Sequence, residues 1–169
     1  MTYLGALLLV IPALFVGISK AKDEKHKVET LRELSAALGI LKNEICTNKT
    51  PLGKVISMHS VKAFPNLKPF FSELESEFES LGDKRFSDIW NESVLKKLNQ
   101  IPEKSKTELI ALGSSLGRYD SDLQRDAIER CINVLQSECE ELESNLQNNE
   151  KMYVGLYGGA GIILALMLI

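Results

Sequence analysis

The sequence lacks the short motifs that hold phosphates, metals or redox centres in enzymes. It contains no G-x-x-x-x-G-K-[ST] loop, no C-x-x-C pair and no H-E-x-x-H segment. Its two histidines, His26 and His59, have no Glu three residues before them, so a di-iron site of the Glu-x-x-His kind is not supported. We therefore expect no catalytic residue, no metal site and no cofactor.

Cysteine is scarce, with only Cys46, Cys131 and Cys139. An odd count at apolar positions of predicted helices favours structural thiols in a reducing compartment over a disulfide framework. Cys131 and Cys139 lie about 12 Å apart along a helix that rises about 1.5 Å per residue, too far to chelate one metal by themselves. The cysteines are interpreted as small core residues.

A basic surface is also missing. The formal net charge is −3 and the pI is about 5.5. A protein that reads phosphates needs a concentrated basic patch, so nucleic acid is not an expected partner.

Charged side chains are absent from both ends of the chain. All 20 Lys and Arg and all 23 Asp and Glu lie between Lys20 and Lys151, which leaves 19 uncharged residues at 1–19 and 18 at 152–169. As helices, both segments cross or nearly cross a hydrocarbon core of about 30 Å. We therefore predict a transmembrane helix at each end, with residues 20–151 forming a module outside the lipid bilayer.

Lysines decide the predicted topology. Lys20, Lys22, Lys25 and Lys27 follow the first apolar run and Lys151 precedes the second, which places the module in the cytoplasm by the positive-inside rule. A signal peptide is disfavoured because no basic residue precedes the run and no good cleavage site follows it.

Glycines mark the last segment as a membrane helix rather than a buried tail. Gly155 and Gly159 form a G-x-x-x-G pair, which allows close helix packing in lipid. The expected packing partner is the first span or another protein; the alternative is that these glycines have no packing partner at all.

Helical periodicity dominates the module, and no strand pattern of any length occurs. We predict an all-α bundle of about six helices, whose first and last helices are long and continue into the transmembrane spans. The first predicted helix has one apolar face, formed by Leu31, Leu34, Leu38, Leu41 and Ile45. The second has about ten residues and starts at Thr50-Pro51, and the third covers 67–81. The fourth covers 87–100 and buries Trp90, Val94 and Leu98, and the fifth starts at a Ser105–Glu108 capping box and ends near Gly117. The sixth runs from Ser121 into the second span. The four glutamates at 73, 75, 77 and 79 are interpreted as a solvated face of helix three.

Two polar motifs sit at predicted helix junctions. The first is Glu44-Ile45 followed by Thr50-Pro51-Leu52, and the second is Leu116-Gly117 followed by Asp120 and Gln124. Thr50 and Asp120 suit helix N-caps and Gly117 suits the position after a helix end. These residues build helix corners or contact a partner, and corner building is the better supported of the two.

The layout of these features resembles the stage III sporulation protein AB family of endospore-forming bacteria. The matching features, in order, are a terminal span, Leu31-Arg32 through Leu38 to Glu44-Ile45, Thr50-Pro51-Leu52, the single Trp90, Leu116-Gly117-x-x-Asp120-x-x-x-Gln124 and a glycine-rich closing span. Thr47 departs from the pattern, since an aromatic residue is expected there.

The resemblance implies a non-enzymatic component of the channel between mother cell and forespore, seated in the mother-cell membrane around the forespore. The module looks similar to the cytoplasmic F domain of type II secretion platform proteins. By that analogy its partners are a secretion-type ATPase, the AA component of the same operon, and other membrane components of the channel. Helices two to four are the expected docking surface. The alternative is a signalling or scaffold bundle that does not contact the ATPase.

Overall fold

A computed structural model describes the backbone of residues 2–58, 64–78, 84–116 and 120–167, and the side chains within 22–57, 64–78, 84–116 and 120–147. The α-helices are α1 (Thr2–Lys42), α2 (Leu52–Met58), α3 (Lys68–Phe78), α4 (Phe86–Lys97), α5 (Glu103–Ser115) and α6 (Ser121–Met167). A π-helical turn (Asn43–Thr47) follows α1, and a 3-10 turn (Pro65–Leu67) precedes α3. These described residues contain no strand, which confirms the all-α prediction.

Contacts divide the chain into two compact units. One comprises Met1–His26 with Glu140–Ile169, and the other is Lys27–Cys139, here called the helical module. The long helices α1 and α6, of 41 and 47 residues, each contribute to both units.

Among the residues whose side chains the structure describes, no helix is long and apolar enough to cross a membrane. The side chains of 1–21 and 148–169 lie outside that part, so the two transmembrane spans stay predictions.

The predicted apolar face of α1 is buried in the module. Leu31, Leu34, Leu38 and Leu41 are all buried, as their three- and four-residue spacing requires. Full burial of such a side chain stabilises a fold by roughly 1.5–3 kcal/mol. Ile45 is an exception, because the π turn intervenes and Cys46 is buried in its place.

Side-chain contacts show that the module portions of α1 and α6 run antiparallel. Near one end the Cys139 thiol donates to the carbonyl of Val28 (3.8 Å), and towards the other Lys42 pairs with Glu129 (3.1 Å). All three cysteines are buried and reduced, as predicted for core positions.

Helices α3 and α4 are joined by a cluster of aromatic rings in T-shaped and tilted contacts. Phe70 meets Phe71 and Trp90 edge-on at centroid distances of 5.1 and 5.3 Å, and Phe86 lies 5.8 Å from both Trp90 and Phe78. Pairs of this geometry add about 0.5–1.5 kcal/mol each beyond the area they bury. The cluster locks these two helices together.

Helix α5 begins earlier than predicted. It starts at Glu103, and the amide of Lys106 donates to the carbonyl of Pro102 at 3.0 Å. Ser105 is therefore inside the helix and fully buried, so the predicted capping box is wrong. Pro102 presets the backbone just before the helix, which moves the start upstream of the serine.

The glutamates of α3 are not uniformly solvated, which corrects a second prediction. Glu73 is half-buried and pairs with Lys96 (3.5 Å) and Lys97 (3.4 Å) of α4. Glu75 is exposed as expected, whereas Glu79 lies outside the described residues, together with the predicted end of helix three at Leu81.

Candidate functional site

The first polar motif forms a compact helix termination. Lys49 adopts a left-handed conformation with φ of 55°, and the amide of Thr50 donates to the carbonyl of Glu44, six residues back, at 2.9 Å. The Schellman ending of α-helices likewise has a left-handed residue, usually glycine, directly before the donor, and the bond here spans one residue more because the preceding turn is π-helical. A lysine there carries backbone strain that the surrounding contacts must offset.

The Glu44 carboxylate organises this corner. Its two oxygens accept hydrogen bonds from Asn48 Nδ2 (3.1 Å) and Thr50 Oγ1 (2.8 Å). Thr50 was predicted to cap α2, but its hydroxyl donates to Glu44, and the carbonyl of Pro51 accepts the first helical bonds, from the amides of Lys54 and Val55. Glu44 is the centre of the corner, and Pro51 rather than Thr50 opens α2.

The second polar motif caps α6. Asp120 Oδ1 accepts from the amides of Asp122 (2.9 Å) and Leu123 (3.2 Å), and its carbonyl accepts from the amide of Gln124 (3.2 Å). The predicted N-cap role of Asp120 is thus confirmed. Such a cap contributes about 1 kcal/mol to helix stability.

Tertiary structure brings the two motifs side by side. Lys49 Nζ donates to Ser121 Oγ at 2.8 Å, and the Cys46 thiol donates to the Ser121 carbonyl at 3.6 Å. Residues 43–51 and 120–124 therefore form one structure, here called the paired corner, where α1 ends and α6 begins. Neither Lys49 nor Ser121 stood out in the sequence, because their contact joins positions 72 residues apart.

The paired corner presents a mixed surface. Leu123 is 56 % exposed and lies between the exposed carboxylates of Asp120 and Asp126, three residues away on either side. Pro51 is exposed as well. Of the predicted contact candidates, Pro51 and Asp120 are accessible to a partner.

Trp90 and Gln124 are packing residues. Trp90 is 2 % exposed, and its indole Nε1 donates to the carbonyl of Leu109 at 2.7 Å. Gln124 is also buried. Trp90 is buried as its helical spacing predicted, and the burial of Gln124 favours corner building over partner contact. Gly117 lies outside the described residues, as do the surroundings of Gly155 and Gly159.

The Cys131 thiol is poorly reactive. Burial raises its pKa from the ordinary value of 9.0 to about 12; the nearby Glu108 carboxylate adds to the rise and the Arg130 guanidinium opposes it. The thiolate is the reactive form of cysteine, so this side chain is a poor nucleophile at neutral pH.

Cavities in the described part of the chain do not suit a substrate. One apolar cleft, between Ile40, Val55 and Phe64, has a volume of about 20 Å³, roughly the space of one water. An open groove of about 480 Å³ runs along α6, but its charged groups pair across helices, as in Lys104–Glu138 and Arg130–Glu108. Among the described residues, no three or more His, Cys, Asp or Glu are grouped to hold a metal ion.

Comparison with known proteins identifies the family of this chain. The family model described as "Stage III sporulation protein AB (spore_III_AB)" matches residues 2–169. The chain belongs to the stage III sporulation protein AB family. Membership is consistent with a role in sporulation, and this family is not a known enzyme family.

A solved structure supports the same fold for this sporulation-family chain. It is described as "Stage III sporulation protein AB (SpoIIIAB)", is 21 % identical and has a TM-score of 0.65, covering 72 % of this chain and 97 % of that chain. At this identity the likeness establishes a shared fold. No curated protein sequence matches the chain.

Proposed function

We propose that this chain is a non-enzymatic, membrane-anchored platform of the mother cell–forespore channel, which couples a cytoplasmic secretion-type ATPase to the membrane components. The paired corner is the observation that carries the proposal. It joins the end of α1 to the start of α6, and both helices continue without interruption into the segments predicted to span the membrane. A displacement at the corner therefore acts on both long helices together.

The ATPase would dock on α2, α3 and α4. The aromatic cluster and the ion pairs of Glu73 join α3 firmly to α4, so a displacement of one of these two helices moves the other. Leu95 of α4 is 58 % exposed, which offers an apolar anchor among charged residues. Lys54 and Lys68 are exposed on α2 and α3.

A binding measurement with purified components tests this role. The full-length chain, reconstituted in vesicles, is mixed with the channel ATPase, and binding is measured by co-flotation. The double variant Lys54→Glu with Lys68→Glu should weaken binding about tenfold or more, as expected for charge reversal at an interface. The matched control reverses two exposed charges of α6, Glu140→Lys with Glu141→Lys, and should bind as the natural chain does.

Each result has a clear reading. Binding that is lost only in the α2–α3 variant supports the docking surface. Equal loss in both variants would refute the surface, because charge reversals of opposite sign should not weaken one charge contact alike. Absence of binding by the natural chain would refute ATPase coupling and favour the scaffold alternative, in which membrane contacts run through Gly155 and Gly159.

A further inference from the structure

The end of α1 contains two neighbouring apolar residues that compete for one core position. The spacing of Leu34, Leu38 and Leu41 would place Ile45 inward if the helix continued in α geometry. The structure instead buries Cys46, which is 4 % exposed, and leaves Ile45 half-buried.

The π turn accounts for this difference. It contains one residue more per turn than α geometry, and the amide of Asn48 donates to the carbonyl of Asn43, five residues back, at 3.1 Å. Cys46 therefore follows Leu41 by five positions and takes the place that Ile45 would take at four. Because both side chains are apolar, either register fills the core.

Polar contacts of the paired corner hold the observed register. They are the two hydrogen bonds from Thr50 to Glu44, the bond from Lys49 to Ser121, and the bond from the Cys46 thiol to the Ser121 carbonyl. The Lys49 bond is exposed and the Thr50 hydroxyl bond only partly buried, so each is worth little in net free energy. Ile45, by contrast, would bury more apolar surface than Cys46 in the same position.

We propose that the end of α1 is a two-register switch. In the π register Cys46 is inward and Lys49 is bonded to Ser121; in the α register Ile45 is inward, Cys46 turns towards solvent, and the bonds from Cys46 and Lys49 to Ser121 are released. A ligand that binds either register better shifts the population between them. This device belongs to the fold and does not depend on which partner docks.

Thiol labelling of the full-length chain with N-ethylmaleimide reports the switch directly. The native sequence suffices, because mass spectrometry of peptides follows Cys46 and Cys131 separately, and Cys131 reports wider unfolding of the module. A minor register populated at about 0.1–10 % makes Cys46 react roughly 10- to 1,000-fold more slowly than an unfolded thiol. Cys131, buried in the middle of the module, should react far more slowly still.

Three variants separate a register switch from simple fraying of the helix end. Ile45→Ser removes the apolar side chain that favours the α register and should slow Cys46 labelling about tenfold. Thr50→Val removes a bond of the π register and should speed labelling several-fold. Ile40→Ser, an equal change at a partly exposed position of α1, should leave it unchanged.

The proposal is overturned if Cys46 of Ile45→Ser is labelled as fast as in the natural chain or faster, because loss of the apolar Ile45 side chain would not slow labelling that occurs by fraying of the helix end. It is also overturned if Cys46 reacts as slowly as Cys131, since no second register would then be populated. If Ile45→Ser fails to fold, Ile45→Val becomes the decisive variant: removal of one methylene should slow Cys46 labelling several-fold in a register switch, and labelling that is not slowed refutes it.

Discussion

At Gly113 a single added methyl group should lower the stability of the fold. It lies within α5 against the indole of Trp90, and a Cβ atom there would stand 2.4 Å from Trp90 Cδ1 and 2.9 Å from Cγ. The ring has little freedom to retreat, because its Nε1 donates to the Leu109 carbonyl at 2.7 Å and it forms a T-shaped pair with Phe70. Gly113→Ala must therefore push the indole out of its place.

The size of the effect follows from three contributions. Overpacking of a well-filled core costs about 1–3 kcal/mol. Loss of the indole hydrogen bond adds about 1 kcal/mol, and the higher helix propensity of alanine returns about 1 kcal/mol. Gly113→Ala should thus lower the free energy of unfolding by about 1–3 kcal/mol. Gly39→Ala is the matched control, since nothing lies within 4 Å of its added Cβ, and it should raise stability by up to about 1 kcal/mol.

Urea denaturation of both variants measures the difference, with circular dichroism following the helices and fluorescence following the only tryptophan of the chain. Gly113→Ala should also change the emission of the folded protein, because the indole loses its hydrogen bond, whereas Gly39→Ala should not. The reasoning is refuted if Gly113→Ala is as stable as the natural chain and its folded emission is unchanged.

Three further substitutions test other parts of the module. Burial raises the pKa of Cys131 from 9.0 to about 12 in the folded chain, so the free energy of unfolding should be unaffected below pH 9 and should fall by about 1.4 kcal/mol per pH unit between 9.0 and about 12. Cys131→Ala should remove this loss of stability at alkaline pH. An unchanged pH profile of stability would contradict the prediction. The Glu33 carboxylate accepts two 2.9 Å hydrogen bonds from Asn66, from its amide and its side chain, so Glu33→Ala should lower the free energy of unfolding by about 1–3 kcal/mol in thermal melts. Glu29→Ala, at an exposed position of the same helix, should have almost no effect, and equal losses would refute the importance of the contact. The Ser105 hydroxyl is buried with no hydrogen-bond partner among the described residues, so Ser105→Ala should raise the free energy of unfolding by about 1 kcal/mol. Ser72→Ala, at an exposed site, should raise it less. A loss of stability in Ser105→Ala would show that the hydroxyl does form a hydrogen bond.

Membrane topology is a separate expectation that the cysteines can test. Cys46, Cys131 and Cys139 are buried, so mild denaturation is needed to expose their thiols. If the module faces the cytoplasm, a membrane-impermeant thiol reagent should still fail to label them in sealed cells. Labelling from outside the cell would refute the cytoplasmic placement.

Local features of the sequence were enough to predict the all-α class, the two long helices, the Asp120 cap and the buried face of α1. These depend on periodicity and capping, which are set by residues within a turn or two of each other. The same signals failed where two local rules competed. The serine and glutamate of the supposed capping box lie inside α5 because Pro102 opens the helix first.

Tertiary structure alone decided the features that involve distant residues. The π turn that exchanges Cys46 for Ile45, the bond from Lys49 to Ser121 and the pairing of Glu73 with α4 all depend on which helix faces meet, and no local pattern encodes that. The fit of Gly113 to Trp90 is of the same kind, since only the packed core shows that a methyl group has no room there. The sequence thus determined where helices form, because their bonds are local, whereas the paired corner exists only because folding brings two separate helix ends into contact.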